Sequence, residues 1–115
     1  MFEEKILREV KKEMDVINLF EITAKMVFHK EKNLTTDILN HLRAIPGITV
    51  VDILPGETRN VSDSFTSVGL KFKFIPTIPG HGKNLKLFQV FLLQSVKSIK
   101  GVSAFSYKSK PQRIA

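Results

Sequence analysis

Three histidines, His29, His41 and His81, have the widest chemical repertoire of any side chains in this sequence. Imidazole acts as a general base or a zinc ligand only when its partners are held at defined distances. Each histidine falls on a different predicted element, and none has a carboxylate at ligand spacing. We therefore predict no metal site here.

Nucleophiles give no stronger signal. Ser62, Ser64 and Ser67 lack the Gly-x-Ser-x-Gly turn that exposes a catalytic serine, and the carboxylates of Asp37 and Asp52 are isolated in the sequence. The absence of cysteine excludes disulfides, thiolate metal sites and thiol nucleophiles. These observations predict a protein that is not an enzyme and that carries no cofactor.

Residues 79–84 (PGHGKN) form the most pointed local motif, with His81, Lys83 and Asn84 just before a predicted helix. Free backbone N–H groups and the positive end of the helix dipole suit such a turn to phosphate. The segment lacks the longer glycine spacing and the terminal Ser or Thr of a Walker loop. It is also typical of a flexible linker that ends in a helix cap, which is the interpretation we favour.

Charge is distributed unevenly along the chain, whose net charge is +7. Asp63 is the last acidic residue: residues 64–115 carry nine basic side chains, whereas residues 1–63 carry nine basic and eleven acidic ones. A segment without carboxylates cannot neutralise its own lysines, which favours an anionic partner. Nucleic acid, a phosphorylated ligand and the acidic half of another copy all meet this requirement.

Two of the three predicted helices carry apolar side chains that point to association. Residues 2–17 place Leu7, Val10, Met14 and Ile17 on one stripe. In a second helix, capped by Asn84 and reaching about Ile99, Val90 and Leu93 lie among lysines instead of on the core stripe. Apolar side chains in that position indicate a covered surface. The N-terminal helix is a suitable cover, from the same chain or from a neighbour.

Residues 19–29 alternate apolar and polar side chains, which predicts a half-buried strand. A helix to about Ile45, a strand over 48–54, a strand over 66–74 and a last strand over 102–107 follow. On the outward face of the sheet, Lys25, Lys71 and Lys73 form a basic surface able to contact phosphates. It lacks the aromatic platform on which RNA-recognition modules stack bases.

The order β-α-β-β-α-β, with the joints IPGITVV at 45–51 and IKGV at 99–102, resembles ferredoxin-like modules, including ACT-like ones. This resemblance covers roughly residues 19–107. It implies an α+β fold with a four-stranded antiparallel sheet and two helices on one face, preceded by an N-terminal helix. The expected division is 1–18 helix, 19–107 domain and 108–115 disordered basic tail. The joint at 45–51 also resembles small uncharacterised proteins of tailed phages.

The leading hypothesis is a non-enzymatic assembly or binding module that forms homo-oligomers and contacts an anionic partner through its basic half. A non-specific nucleic-acid-binding protein and an ACT-like small-ligand regulator are the alternatives. No apolar run approaches the ~20 residues that cross a bilayer, so we expect no membrane association. The expected location is the cytoplasm, or a virion if the phage resemblance holds.

Overall fold

A computed structural model describes residues 19–115. Eight strands run in chain order: β1 Phe20–His29, β2 Ile48–Ile53, β3 Arg59–Asn60, β4 Phe65–Phe74, β5 Thr77–Ile78, β6 Gly82–Lys83, β7 Val102–Tyr107 and β8 Gln112–Arg113. Helix α1 begins as a π-helical segment, Leu34–Leu39, and continues as α-helix over Asn40–Arg43; helix α2 spans Leu85–Lys97. The N-terminal helix predicted from the sequence lies outside the described residues.

Two ten-residue strands form the centre of the sheet. β1 and β4 are antiparallel and pair along their whole length, from Phe20 opposite Phe74 to His29 opposite Phe65. The longer flanking strands have six residues each, β2 beside β4 and β7 beside β1, giving the order β2-β4-β1-β7. Part of β1 and part of β4 therefore have backbone N–H and C=O groups that the six-residue strands β7 and β2 do not pair with.

Short strands pair with these remaining backbone groups. β3 pairs with Thr66 and Ser67 of β4, and β8 pairs with Phe20 and Glu21 of β1. Buried backbone N–H and C=O groups are nearly always paired, so extending the two long strands favours such additions. The C-terminal segment that was predicted to be disordered is thus part of the sheet.

The predicted fold class is wrong. The main sheet has six strands instead of four, a separate two-stranded sheet is formed by β5 and β6, and the described chain is mainly β, with 41% strand and 24% helix. Hydropathy alternation detects strands that bury side chains, and it located β1 and β4; the strands predicted over 48–54 and 102–107 correspond to β2 and β7. The four additional strands have two residues each and depend on backbone pairing, which leaves almost no hydropathy signal.

The hydrophobic core lies between the sheet and the two helices. The inward-facing side chains of β1 and β4 pack with those of α1 and α2 in one cluster, which contains Ile22, Met26, Phe72, Ile38 and Leu92. In this cluster the Phe74 and Phe88 rings stack with centroids 4.7 Å apart. Burial of such side chains contributes about 1.5–3 kcal/mol each. On the opposite face of the sheet there is no helix from residues 19–115, and we call it the helix-free face.

Both helices begin at asparagine caps. Asn33 Oδ1 accepts from the backbone N–H groups of Thr35 and Thr36, each at 3.0 Å, and Asp37 Oδ2 accepts from the Asn33 N–H at 2.7 Å. Asn84 Oδ1 accepts from the Leu87 N–H at 3.0 Å. These bonds satisfy otherwise unpaired amide groups of the first turns, and the second confirms the cap predicted at Asn84.

Candidate anion-binding groove

The helix-free face of the sheet carries the outward side chains of β1 and β4. Lys25 lies opposite Gly69, whereas Thr23 and Glu21 lie opposite Lys71 and Lys73. All three lysines that sequence analysis assigned to this face are therefore on it. Their neighbours differ, and this difference decides which of them is available to a ligand.

Lys71 and Lys73 have acidic partners across the sheet. Asp52 of β2 is directly opposite Lys71, and Glu21 of β1 is directly opposite Lys73. Opposite charges in these positions stabilise a sheet by roughly 0.2–1 kcal/mol each. Both carboxylates come from residues 1–63, so at this end of the face the first half of the chain places acidic side chains beside lysines of residues 64–115.

Lys25 has no such partner. Its neighbours are Gly69 on β4 and Ser106 on β7. On the other side of β4, the segment between β2 and β4 runs along the strand edge: the Leu54 N–H donates to the Gly69 carbonyl at 2.9 Å, and the Gly69 N–H donates to the Glu57 carbonyl at 3.2 Å. The Glu57 side chain lies over Gly69, which is possible because residue 69 has no side chain on the outward face.

The segment between β2 and β4 and the outward face of the sheet enclose a groove of about 420 Å³. It is lined by Lys25, Glu57, Arg59, Asn60, Val61, Ser67, Gly69 and Lys108. Three cationic side chains thus face one carboxylate. Glu57 forms an ion pair with Lys108, the only one within 4 Å among residues 19–115. The Lys108 N–H donates to the Thr23 carbonyl at 2.8 Å, which fixes the backbone at this position.

Ser67 lies at the floor of the groove. It is only 5% exposed and is the one buried polar residue in the described part of the chain. A ligand in the groove therefore meets a hydroxyl donor below three flexible cations.

The PGHGKN motif does not contribute to this groove. Lys83 belongs to β6 and pairs with Thr77, while the His81 N–H donates to the Ile78 carbonyl at 3.0 Å. Asn84 uses its side-chain oxygen to cap α2. His81, Lys83 and Asn84 are all exposed, on a small hairpin at the start of α2. The structure therefore separates the six predicted anion-binding residues into two groups.

The predicted interface residues fall partly within the described chain. Val90 is 51% exposed on α2, whereas Leu93 is half-buried and packs against the core. Leu7, Val10, Met14 and Ile17 lie outside the described residues. Leu87, which sequence analysis did not name, is as exposed as Val90.

Sequence analysis missed most of the groove. Glu57 and Arg59 lie between the strands predicted over 48–54 and 66–74, and Lys108 lies in the predicted tail; none of the three was predicted to be a site residue. The sequence held one usable signal, which is a glycine in the middle of a strongly alternating strand. Such a glycine marks a bulge or a close approach of another chain segment, and Gly69 marks the position of the Glu57 side chain.

A second groove, of about 390 Å³, lies between α1 and the end of α2 and includes Lys32, Asp37, His41 and Lys100. Asp37 is engaged in the α1 cap, and this groove faces the C-terminal, negative end of α2. No group of three His, Asp or Glu side chains within residues 19–115 is placed to hold a metal ion. Across the same residues no helix is long and apolar enough to span a bilayer.

Comparison with known proteins adds no family to this description. No family model matches the chain, and no curated protein matches it.

Proposed function

We propose that this protein is a non-enzymatic binding module that holds the phosphate backbone of a nucleic acid in the groove on its helix-free sheet face. The observation that carries the proposal is the convergence of Lys25, Arg59 and Lys108 around the buried Ser67 hydroxyl. These residues come from β1, β3, β4 and the segment after β7, and folding alone brings them together.

The chemistry of the groove fits a phosphodiester. Lysine and arginine neutralise phosphate charge and release its counterions, and hydroxyl and backbone donors position the oxygens. Residues 19–115 hold fourteen basic and six acidic side chains, so the described chain has a net charge of +8. A long polyanion gains from this surplus as well as from the groove itself.

The face is not suited to reading bases. The only outward aromatic groups on β1 and β4 are His29 and Phe65, and their rings pack on each other with centroids 4.4 Å apart. Both are therefore engaged at one end of the sheet, where they do not form a platform for successive bases. We therefore expect the protein to bind nucleic acid without a preference for base sequence.

Fluorescence anisotropy with a labelled 20-nucleotide oligo-dT strand tests the proposal. The full chain binds this probe, and the logarithm of the association constant falls linearly with the logarithm of salt concentration. Lys25→Gln combined with Arg59→Gln lowers the slope by about 1.4, because each lost contact to single-stranded phosphate contributes about 0.7. We expect affinity at moderate salt to fall about tenfold or more.

The matched control is Lys30→Gln combined with Arg43→Gln, which removes the same charge from exposed positions outside the groove. A control that lowers affinity as much as the groove variant shows that net charge, not the groove, binds the strand. No binding of oligo-dT at low salt overturns the proposal. Binding of polyglutamate in its place identifies an acidic protein as the partner class.

A further inference from the structure

The outward face of α2 exposes two large apolar side chains. Leu87 and Val90 are each 51% exposed, and their i, i+3 spacing places them on one helix face. Lys86 and Lys97 border them, and the half-buried Leu93 connects the pair to the core. We call Lys86, Leu87, Val90, Leu93 and Lys97 the α2 face. Two adjacent exposed apolar side chains flanked by lysines suit a partner segment that is both apolar and acidic.

Charge limits what can cover the α2 face. No acidic residue follows Asp63, so the lysines of α2 have no carboxylate from their own or any later element. Residues 1–18 contain the acidic side chains Glu3, Glu4, Glu9, Glu13 and Asp15. This segment combines carboxylates with an apolar stripe, and it is therefore complementary to the α2 face in both respects.

The arrangement of charge within residues 1–18 strengthens this match. At 100° per residue, the helix predicted over 2–17 would place Glu9 and Glu13 along one border of the apolar stripe and Glu4 and Asp15 along the other. Three of its four basic residues would point away from the stripe, whereas Lys11 would lie on the border with Glu4 and Asp15, and Glu3 would lie within the stripe. Carboxylates that border an apolar stripe match lysines that border an apolar pair.

We propose that the α2 face binds residues 1–18 of a second copy of this chain, with Leu7, Val10, Met14 and Ile17 packing on Leu87 and Val90. Reciprocal binding about a two-fold axis joins two copies through two identical contacts. This association is independent of the groove, which lies on the opposite side of the sheet.

The reach of the chain favours a second copy over the same one. The Phe20 ring at the start of β1 stacks on Phe74 at 5.9 Å, and Phe74 stacks on Phe88 of α2, so the chain enters the sheet beneath α2. A helix on the α2 face has its axis about 9 Å beyond that of α2, and α2, about 10 Å across, lies between it and the sheet. The three peptide units from Ile17 to Phe20 span at most about 11 Å. Its own segment therefore cannot bring the Ile17 end of the stripe onto this face.

Disulfide trapping tests the contact, since the chain has no cysteine of its own. In full-length protein carrying Val10→Cys and Val90→Cys, mild oxidation yields a disulfide-linked pair of chains on a non-reducing gel. Val10→Cys with Val61→Cys is the control, because Val61 is 57% exposed and lines the groove on the other side of the sheet. An oxidised single chain for the test variant overturns the second-copy assignment. Equal trapping in both variants overturns the contact.

Light scattering coupled to size exclusion gives an independent readout. Leu87→Glu with Val90→Glu raises the dimer dissociation constant at least tenfold, whereas Val61→Glu with Ile114→Glu adds the same charge at exposed positions elsewhere and leaves it unchanged. A wild-type chain that is monomeric at 100 μM overturns the proposal.

Charge exchange tests the lysine border. Glu9→Lys with Glu13→Lys weakens the dimer, and so does Lys86→Glu with Lys97→Glu. Combining all four changes restores the dimer to within about threefold of the wild type. If this rescue fails, the proposed contacts between carboxylates and lysines are wrong. The disulfide cross-link tests the apolar contact separately.

Discussion

The Glu57 side chain packs directly on Gly69: its carboxylate oxygen lies 2.8 Å from the point where a Cβ at position 69 would stand. This contact places the only carboxylate of the groove between the sheet and the cations that surround it. It also accounts for a glycine in the middle of the central strand β4. Both the groove and its electrostatics depend on the contact.

Replacing Gly69 displaces Glu57. In Gly69→Ala the new methyl group would also lie 2.9 Å from Glu57 Cβ, which a rotation of the side chain cannot relieve. We expect a loss of about 1–3 kcal/mol in the free energy of unfolding, measured by urea denaturation, as for other overpacked sites. In a Glu57→Gly background, Gly69→Ala costs less than in the wild type, so the double variant loses less stability than the sum of the two single losses. Strict additivity would contradict the contact.

Removing the Glu57 charge strengthens anion binding. Glu57→Gln frees Lys108 from its ion pair and removes the one negative charge of the groove. Exposed ion pairs are worth up to about 1 kcal/mol, so we expect a gain of about two- to fivefold in oligo-dT affinity by anisotropy. Asp63→Asn removes an exposed carboxylate that does not line the groove and serves as the control. Weaker binding by Glu57→Gln would mean that Glu57 positions Lys108 for the ligand.

Tyr107 makes the stability of the fold depend on pH in alkaline solution. Burial raises the pKa of its hydroxyl, which donates a hydrogen bond to the Gln89 carbonyl of α2. Above pH 10, the ordinary value, the unfolded chain releases this proton while the folded chain retains it, so stability decreases as pH rises. The contribution of this one group approaches about 1.4 kcal/mol per pH unit.

Tyr107→Phe checks this assignment. Loss of the hydrogen bond costs about 1 kcal/mol near pH 7, and the variant loses less stability than the wild type between pH 10 and 11.5. Urea denaturation of both proteins across this range supplies the comparison. Parallel pH profiles for the two would show that another group causes the alkaline loss.

The turn between α1 and β2 depends on Gly47. This residue has φ +91°, and a Cβ there would lie 2.6 Å from both the Ile75 carbonyl oxygen and the Phe88 ring. Gly56 has φ +75° with open space around it, so Gly56→Ala isolates the cost of backbone conformation, about 1–2 kcal/mol. We expect Gly47→Ala to cost at least about 3 kcal/mol, because overpacking adds to that strain. Equal thermal or urea midpoints for the two variants would contradict this.

Elements that bury one face were predictable from the sequence. Period-two alternation located β1 and β4 within a residue or two and oriented their side chains correctly, and Asn84 marked the start of α2. These signals are local, since a strand with one buried face must alternate and a helix needs its first amides capped. The sheet edges were not predictable, because β3 and β8 have no buried side chains of their own.

The positions of charged side chains relative to one another were the feature least predictable from the sequence. The sequence establishes that residues 64–115 are basic without a single carboxylate, and this follows from counting alone. Only the tertiary structure decides that Asp52 and Glu21 lie opposite two of these lysines and that Glu57 pairs with Lys108 from 51 residues away. Electrostatic energy depends on distance through space, and strand register and the path of the segment between β2 and β4 set those distances. Among residues 19–115, the same two features leave Lys25 and Arg59 without a carboxylate of their own in the groove.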